Sequence, residues 1–238
     1  MKNRVDIVIP VYNERENFET IFPRIRQNLL CDWRVLLTYD FEEDSTLLAA
    51  RPLAGEDSRL ELVRNRGQGV LQAMTTGFSH ASADAVLVLM ADDPPEIIEK
   101  IDELVEQFYL QQAAVAVPSR YMRGGGHVGG PFLKGLLSRV AGVSLHFLIG
   151  LPTHDATYAT RIYRKSFLDA TPIESKKGFE IALELTLKAY FERKKIIEIP
   201  VVWKERMAGE SRFDMRKWLP AYLRWYMWGL KKRFLHFV

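Results

Sequence analysis

A single cysteine, Cys31, in 238 residues leaves no internal disulfide to form, and a lone thiol fits a reducing compartment. No run of 18 uncharged apolar residues occurs, so no conventional transmembrane helix is expected. No signal peptide is read either, because the N-terminus passes straight into the strand-like VDIVIPV. Internal repeats and low-complexity linkers are absent from the pattern. Phosphate-binding fingerprints are missing too: RNRGQG, with Gly67 and Gly69, is neither G-x-G-x-x-G nor a P-loop with its Lys-Ser/Thr pair. Both glycines read as turn residues.

What is present describes a folded α/β protein. A composition 47% hydrophobic and 26% charged is globular rather than disordered, and the length suits one α/β domain with an appendage. The net charge of +3 is unevenly placed. Residues 213–238 carry six Lys/Arg against Asp214, which leaves 27 basic against 29 acidic residues elsewhere. A slightly acidic body with a basic tail argues against nucleic acid as the partner.

Strand-like segments at 5–11, 35–39, 60–63, 86–89 and 113–117 alternate with helical periodicity. The helical apolar positions are Phe18, Ile21, Phe22, Ile25 and Leu29; then Val70, Ala73, Met74 and Phe78; then Ile97, Ile98, Ile101, Leu104, Val105 and Phe108. Such alternation means βαβ units and a mainly parallel sheet. Asn13 is expected to cap the first helix and Pro23 to kink or restart it. Further on, GGGHVGG (124–130) reads as a loop lying over a site. Helices are expected at 132–149 and 178–193, and strands at 157–163 and 196–203, the last an edge strand because of Pro200. Glu180 and Glu184 read equally as a solvated helix face or as site residues.

The most informative stretch is 84–96, DAVLVLMADDPPE. A buried strand ends at two carboxylates, Asp92 and Asp93, before Pro94-Pro95 opens a helix. Ligands of open α/β sheets bind beyond the carboxyl ends of the strands, and hard cations take oxygen ligands, so this hinge reads either as an anchor for a metal diphosphate or as a solvated helix-capping turn. The tail 216–238 interleaves its basic residues with Trp218, Tyr222, Trp225, Tyr226, Trp228, Phe234 and Phe237. Such a segment reads as a helix lying at a membrane interface, with a helix docked on its own domain or a partner as the alternative.

Motifs in order then resemble a known family. IVIPVYNERENF (7–18) resembles the opening of family 2 glycosyltransferases of GT-A fold, and the set resembles dolichol- or polyprenol-phosphate mannosyltransferases. PSRYMRGGG (118–126) is similar to that group's GSRY-x-x-GG, DATYATRIYRK (155–165) to its D-x-T-x-G-F-R-x-Y-R, and RMAGESR (206–212) to its R-x-x-G-x-S-K. The resemblance covers about residues 5–212 and implies a GT-A catalytic domain at 1–212, with 213–238 as a basic, aromatic, membrane-associated tail.

The resemblance implies donor binding by Pro10, Tyr12, Glu14, Thr38, Asp40, Ala91, Asp92, Arg120, Arg206 and Arg212. It implies contact with an acceptor phosphate by Lys134 and Arg120, catalytic roles for Asp92 and Arg206, and Mg2+ or Mn2+ as cofactor on Asp92, with neighbouring Asp93 expected to replace a lost ligand. The sequence departs from the family where Met90 replaces the first acid of the Asp-x-Asp motif, a thioether being a poor ligand for these ions. The Gln and His that usually follow are missing, and Arg212 stands for a Lys. The implied activity is inverting transfer of a sugar, a hexose such as mannose, from a GDP- or UDP-sugar to a polyprenyl or dolichyl phosphate. The implied place is the cytoplasmic face of a membrane, peripherally bound, with or without an integral-membrane subunit. Another glycan acceptor within the same family, or a glycosyltransferase-like subunit without turnover, are the alternatives; a nucleotidyltransferase ranks last for want of a basic Gly-rich loop.

Overall fold

The computed structural model describes residues 3–129, 132–204 and 215–235. At its centre lies β1 (Arg4–Val11), buried from its second residue onward, as a strand covered on both faces must be. It pairs in parallel with β2 (Asp32–Tyr39) and with β4 (Ala85–Val88), and β3 (Leu60–Arg64) extends the sheet beyond β2. On the other side, β7 (Arg161–Arg164) is inserted antiparallel between β4 and β5 (Val115–Ser119), and β8 (Ile196–Pro200) forms the edge. The order is β3-β2-β1-β4-β7-β5-β8, a mixed and mainly parallel sheet as the sequence predicts. A separate ribbon pairs β6 (Gly126–Val128) with β9 (Val202–Lys204).

Alternation along β1 divides the core. Val5, Ile7 and Ile9 face a layer containing α1 (Arg15–Asn28), α2 (Ser45–Glu56) and α4 (Ile101–Leu110). Val8 faces α3 (Val70–His80), α5 (Phe132–Ile149), α6 (Lys165–Ala170), α7 (Ile181–Phe191) and α8 (Met215–Leu235).

Several local expectations are corrected. Asn13 does not cap α1; Glu14 occupies that position, and the Asn13 carboxamide oxygen instead accepts from Ser45 N–H at the start of α2 (2.9 Å). Pro23 does not restart α1, which runs through it. The carbonyl that loses its partner there belongs to Glu19, an exposed residue that water can reach. The 124–130 loop contains β6, and the expected last strand divides at Val201, whose N–H turns to Ser119 (3.1 Å). The strand expected at 157–163 begins only at Arg161, which leaves 153–160 as a buried loop.

Glu180 and Glu184 are not a solvated face. Both are buried, Glu180 accepting from Lys176, Lys177 and Gly178 N–H, and Glu184 from Glu174 and Ser175 N–H while pairing with Lys188 (2.7 Å). The tail helix α8 docks on its own domain: Trp225 is buried with Nε1 on Ser175 (3.1 Å), and Tyr226 meets Ser144 of α5 (2.9 Å). Its other side keeps Leu219, Leu223, Met227 and Phe234 exposed.

α5 approaches the 153–160 loop closely at Gly142, where a Cβ would lie 2.3 Å from the His154 carbonyl oxygen. Since that neighbour is backbone, Gly142→Ala should lower stability by about 1–3 kcal/mol despite its better helix propensity, measured by urea unfolding.

Candidate active site

The sheet order reverses between β1 and β4: β2 and β3 follow β1 outward on one side, while β4 lies on the other. In open α/β sheets such a reversal marks where a crevice forms at the carboxyl ends of the strands and ligands bind. The chain segments leaving β1, β2, β4 and β5 there carry most of the residues singled out above.

On the β1–β2 side, Tyr12 is 54% exposed and meets Phe41 edge-on at 5.4 Å, an aromatic pair at the mouth of the crevice. The turn behind it is pinned to α2. Asn13, at φ 55°, donates its N–H to both oxygens of Asp44 (3.1 and 3.0 Å), and Glu14 N–H donates to Thr46 Oγ1 (2.9 Å). Asp44 also caps α2 through Thr46 N–H (2.8 Å). Asp40 accepts from Asn65 Nδ2 (2.6 Å) and Gly69 N–H (2.8 Å), so the acid at the end of β2 anchors the RNRGQG loop. Gly69, read as a turn residue, lies at φ 83° just before α3, a conformation glycine adopts at little cost. Pro10 and Thr38 are register partners, both buried. Thr38 is wholly enclosed with its hydroxyl on the Ile9 carbonyl (3.4 Å), so its side chain lies beneath the crevice floor instead of lining it.

On the β4 side the two carboxylates part company. Asp92 is exposed at the apex of the turn, following buried Ala91. Asp93 turns inward. Its Oδ1 accepts from Tyr158 (2.8 Å), and its Oδ2 accepts from Met90 N–H (3.1 Å) and from the Thr160 hydroxyl. With both oxygens so occupied, Asp93 is not presented as a metal ligand beside Asp92. Burial and the neighbouring Asp92 charge push its carboxyl up to about 6 against the pull of those three donors. The native state thus holds this proton more tightly than the unfolded chain, and the stability owed to Asp93 falls as pH rises from about 4 to about 6.

At the end of β5, Arg120 forms a two-pronged ion pair with wholly buried Asp155 (2.7 and 2.9 Å) and donates to Ser138 of α5 (3.1 Å). Burial disfavours both charges, yet each holds the other: Asp155 stays below the usual carboxylate range and Arg120 above the usual arginine range. The guanidinium stacks on Tyr158, 4.6 Å from its ring centre. One side chain therefore spans the site, with its hydroxyl on Asp93 and its ring under Arg120. Wholly buried Arg161 secures the loop from below through the Tyr158 carbonyl (2.9 Å) and the Ala182 carbonyl of α7 (3.1 Å).

The structure thus brings Pro10, Tyr12, Glu14, Asp40, Ala91, Asp92 and Arg120 to one end of the sheet. Lys134 falls in the first turn of α5, four residues before Ser138, but its side chain lies outside the described residues, as do Arg206 and Arg212. The chain enters 205–214 from Lys204, whose ammonium is 3.5 Å from Glu96 on the short helix after the hinge. Missed from sequence were Asp44, Tyr158, Thr160 and Arg161; for the last three the signal was their place within the 155–165 motif.

A divalent cation has one exposed carboxylate to meet here, and no group of three His, Cys, Asp or Glu suited to a metal occurs among the described residues. That donor set fits Mg2+ or Mn2+ arriving with a diphosphate, since such ions are commonly held by one or two carboxylates plus substrate phosphates.

Comparison with known proteins gives a consistent result. The profile of Glycosyl transferase family 2 matches residues 6–171. The chain is 30% identical to dolichol-phosphate mannosyltransferase of Pyrococcus furiosus, over 88% of this chain and 59% of that protein, so it spans well under two thirds of this relative's length. It is 29% identical to polyprenol monophosphomannose synthase of Mycolicibacterium smegmatis, over 97% of this chain and 88% of the relative. It is 28% identical to undecaprenyl-phosphate mannosyltransferase of Micrococcus luteus, over 97% and 96%. Among solved structures, glucosyl-3-phosphoglycerate synthase from Mycobacterium tuberculosis, in complex with Mn2+, UDP-glucose and phosphoglyceric acid, superposes with a TM-score of 0.69 at 17% identity, covering 98% of this chain and 79% of that one. This last likeness concerns the fold.

Removing one member of the buried pair exposes the other's cost. Asp155→Asn should destabilise the protein by about 3–5 kcal/mol at neutral pH by leaving the Arg120 charge uncompensated. Asp155 has a depressed native pKa, so its contribution is complete above about pH 4 and disappears as pH falls through the native value. Denaturation midpoints of the two proteins should converge in acid.

Proposed function

Because the chain belongs to glycosyl transferase family 2, we propose that it transfers a sugar, a hexose such as mannose, from a GDP- or UDP-sugar to a polyprenyl or dolichyl phosphate. The observation that carries this reading is the bridge made by Tyr158 at the ligand end of the sheet, its hydroxyl on Asp93 beside exposed Asp92 and its ring under Arg120. Relatives named for polyprenol- and undecaprenyl-phosphate mannosyl transfer support the acceptor class.

In this reading Tyr12 and Phe41 meet the base of the donor, with Asp40 and Glu14 beside them. A phosphate oxygen of the acceptor attacks the anomeric carbon as the bond to the nucleoside diphosphate breaks on the opposite face, inverting the centre. A phosphomonoester with a second pKa of about 6 is largely ionised at neutral pH and needs little help from a base. Positioning and charge neutralisation are the main demands. Lys134, Arg206 and Arg212 serve the phosphates, while Arg120, its charge already held by Asp155, fixes this flank of the site. A divalent cation held by Asp92 would supply further neutralisation of the leaving diphosphate.

The same chain would work peripherally at a membrane. α5 and α8 lie side by side, contain no acidic residue, and expose Leu136, Val140 and Phe147 on one, with Leu223, Met227 and Phe234 on the other. Exposed Arg139, Arg224 and Lys231 accompany them. Apolar residues among basic ones suit an anionic bilayer surface. No helix among the described residues is long and apolar enough to cross a membrane.

A panel of GDP- and UDP-sugars against undecaprenyl and dolichyl phosphate, with and without Mn2+, should give label in a solvent-extractable product, and Asp92→Asn should lower kcat/KM by roughly 10²-fold. Full turnover by Asp92→Asn at saturating Mn2+ would remove Asp92 from the proposal; no product from any pair would leave the non-catalytic alternative. Flotation with phosphatidylglycerol vesicles tests the membrane surface: Leu223→Glu combined with Phe147→Glu should release the protein from the vesicle fraction, and unchanged flotation would refute that face.

A further inference from the structure

The turn that presents Asp92 is closed at both ends by atoms that do not face the crevice. Asp93 N–H donates to the Met90 carbonyl (3.0 Å), and Met90 N–H donates to Asp93 Oδ2 (3.1 Å) with Thr160 Oγ1 also near (3.4 Å). The Thr160 and Tyr158 hydroxyls complete the ring of donors around Asp93, which is only 7% exposed. A carboxylate suits this arrangement because its two oxygens accept from all three donors at once, whereas a carboxamide would keep them only by turning one hydroxyl round to accept its NH2.

Three of the positions involved are those where the chain leaves the motifs it otherwise resembles. Met90 stands for an acid, Asp93 lies where the usual Gln and His are missing, and Thr160 stands where D-x-T-x-G-F-R has Phe. The fold gathers all three into one hydrogen-bonded cluster. A ligand lost at Met90 would weaken the hold on a cation; a rigid turn offsets that by fixing the remaining carboxylate in advance, since a preorganised group loses less entropy on binding.

We propose that Asp93, Thr160 and Tyr158 act as a latch that holds the 90–93 turn so that Asp92 alone meets the cation of a metal–nucleoside diphosphate, and that Tyr158 sets the spacing between this turn and Arg120. These are positioning residues, not ligands. The proposal rests on the glycosyl-transfer reading of the crevice. It differs from a purely structural role for the cluster in one measurable respect: the latch governs the metal-dependent part of nucleotide affinity.

The test uses Thr160→Val, which keeps the shape and loses the hydroxyl; Thr160→Ser, which keeps the hydroxyl; and Tyr158→Phe, which keeps the ring under Arg120. Calorimetric titration with GDP and with UDP, each with and without Mn2+, is run alongside thermal unfolding. Thr160→Val and Tyr158→Phe should weaken the Mn2+ complex of whichever nucleotide binds by about tenfold or more, leave metal-free affinity within about twofold, and Thr160→Ser should restore the wild-type value. Equal losses with and without Mn2+, or a fall in Tm with the Mn2+-dependent gain intact, would overturn the latch while leaving the crevice as a nucleotide site. Absence of Mn2+-dependent binding of either nucleotide by the wild-type protein would overturn the reading beneath it, and the latch with it.

Discussion

A guanidinium taken out of water needs a carboxylate beside it, and the pairing of Arg120 with Asp155 meets that need where several parts of the chain converge. Arg120 leaves the end of β5, Asp155 belongs to the loop before β7, and Ser138 reaches both from α5 through Arg120 and Thr157. The loop, the helix and the strand end are therefore fixed as a unit. Tyr158, on the same loop, extends that unit to the hinge after β4. The buried pair thus adds a charged link to the hydrogen bonds of Tyr158 and Ser138 that join the same parts.

Insertion of β7 antiparallel between β4 and β5 makes this arrangement possible. A parallel neighbour would be entered from the far end of the sheet. An antiparallel one is entered from the ligand end, so the residues preceding it, 153–160, lie among the carboxyl ends of β4 and β5. The family's D-x-T-x-G-F-R-like motif sits there for that topological reason.

Much of the sheet was legible because parallel strands buried on both faces leave continuous apolar runs, as at Ile7–Val8–Ile9 and Val86–Leu87–Val88. Tertiary partners were not legible. Asn13 carries a helix-capping side chain, but Asp44, 31 residues away, draws its backbone into a left-handed turn and directs that side chain to α2. Glu180 and Glu184 show the spacing of a solvated face, yet the 174–178 loop folds back with unpaired N–H groups that only they can satisfy. At the site, Asp92 and Asp93 are chemically identical in sequence; Tyr158 and Thr160, over 60 residues distant, separate an exposed carboxylate from an enclosed one. Thr38 was placed by motif alone, and its burial follows from β2 being an interior strand.

α5 carries both the Ser138 hydroxyl that touches Arg120 and, nine positions later, the exposed ring of Phe147. A helix rises about 1.5 Å per residue, so these two points are separated by roughly 13 Å along a stiff rod. In the membrane-bound reading proposed above, α5 runs along the bilayer surface, and this length becomes a fixed lateral offset between the Phe147 contact and Arg120. An isoprenoid alcohol phosphate anchored by its tail would cover that offset by diffusing in the plane of the bilayer.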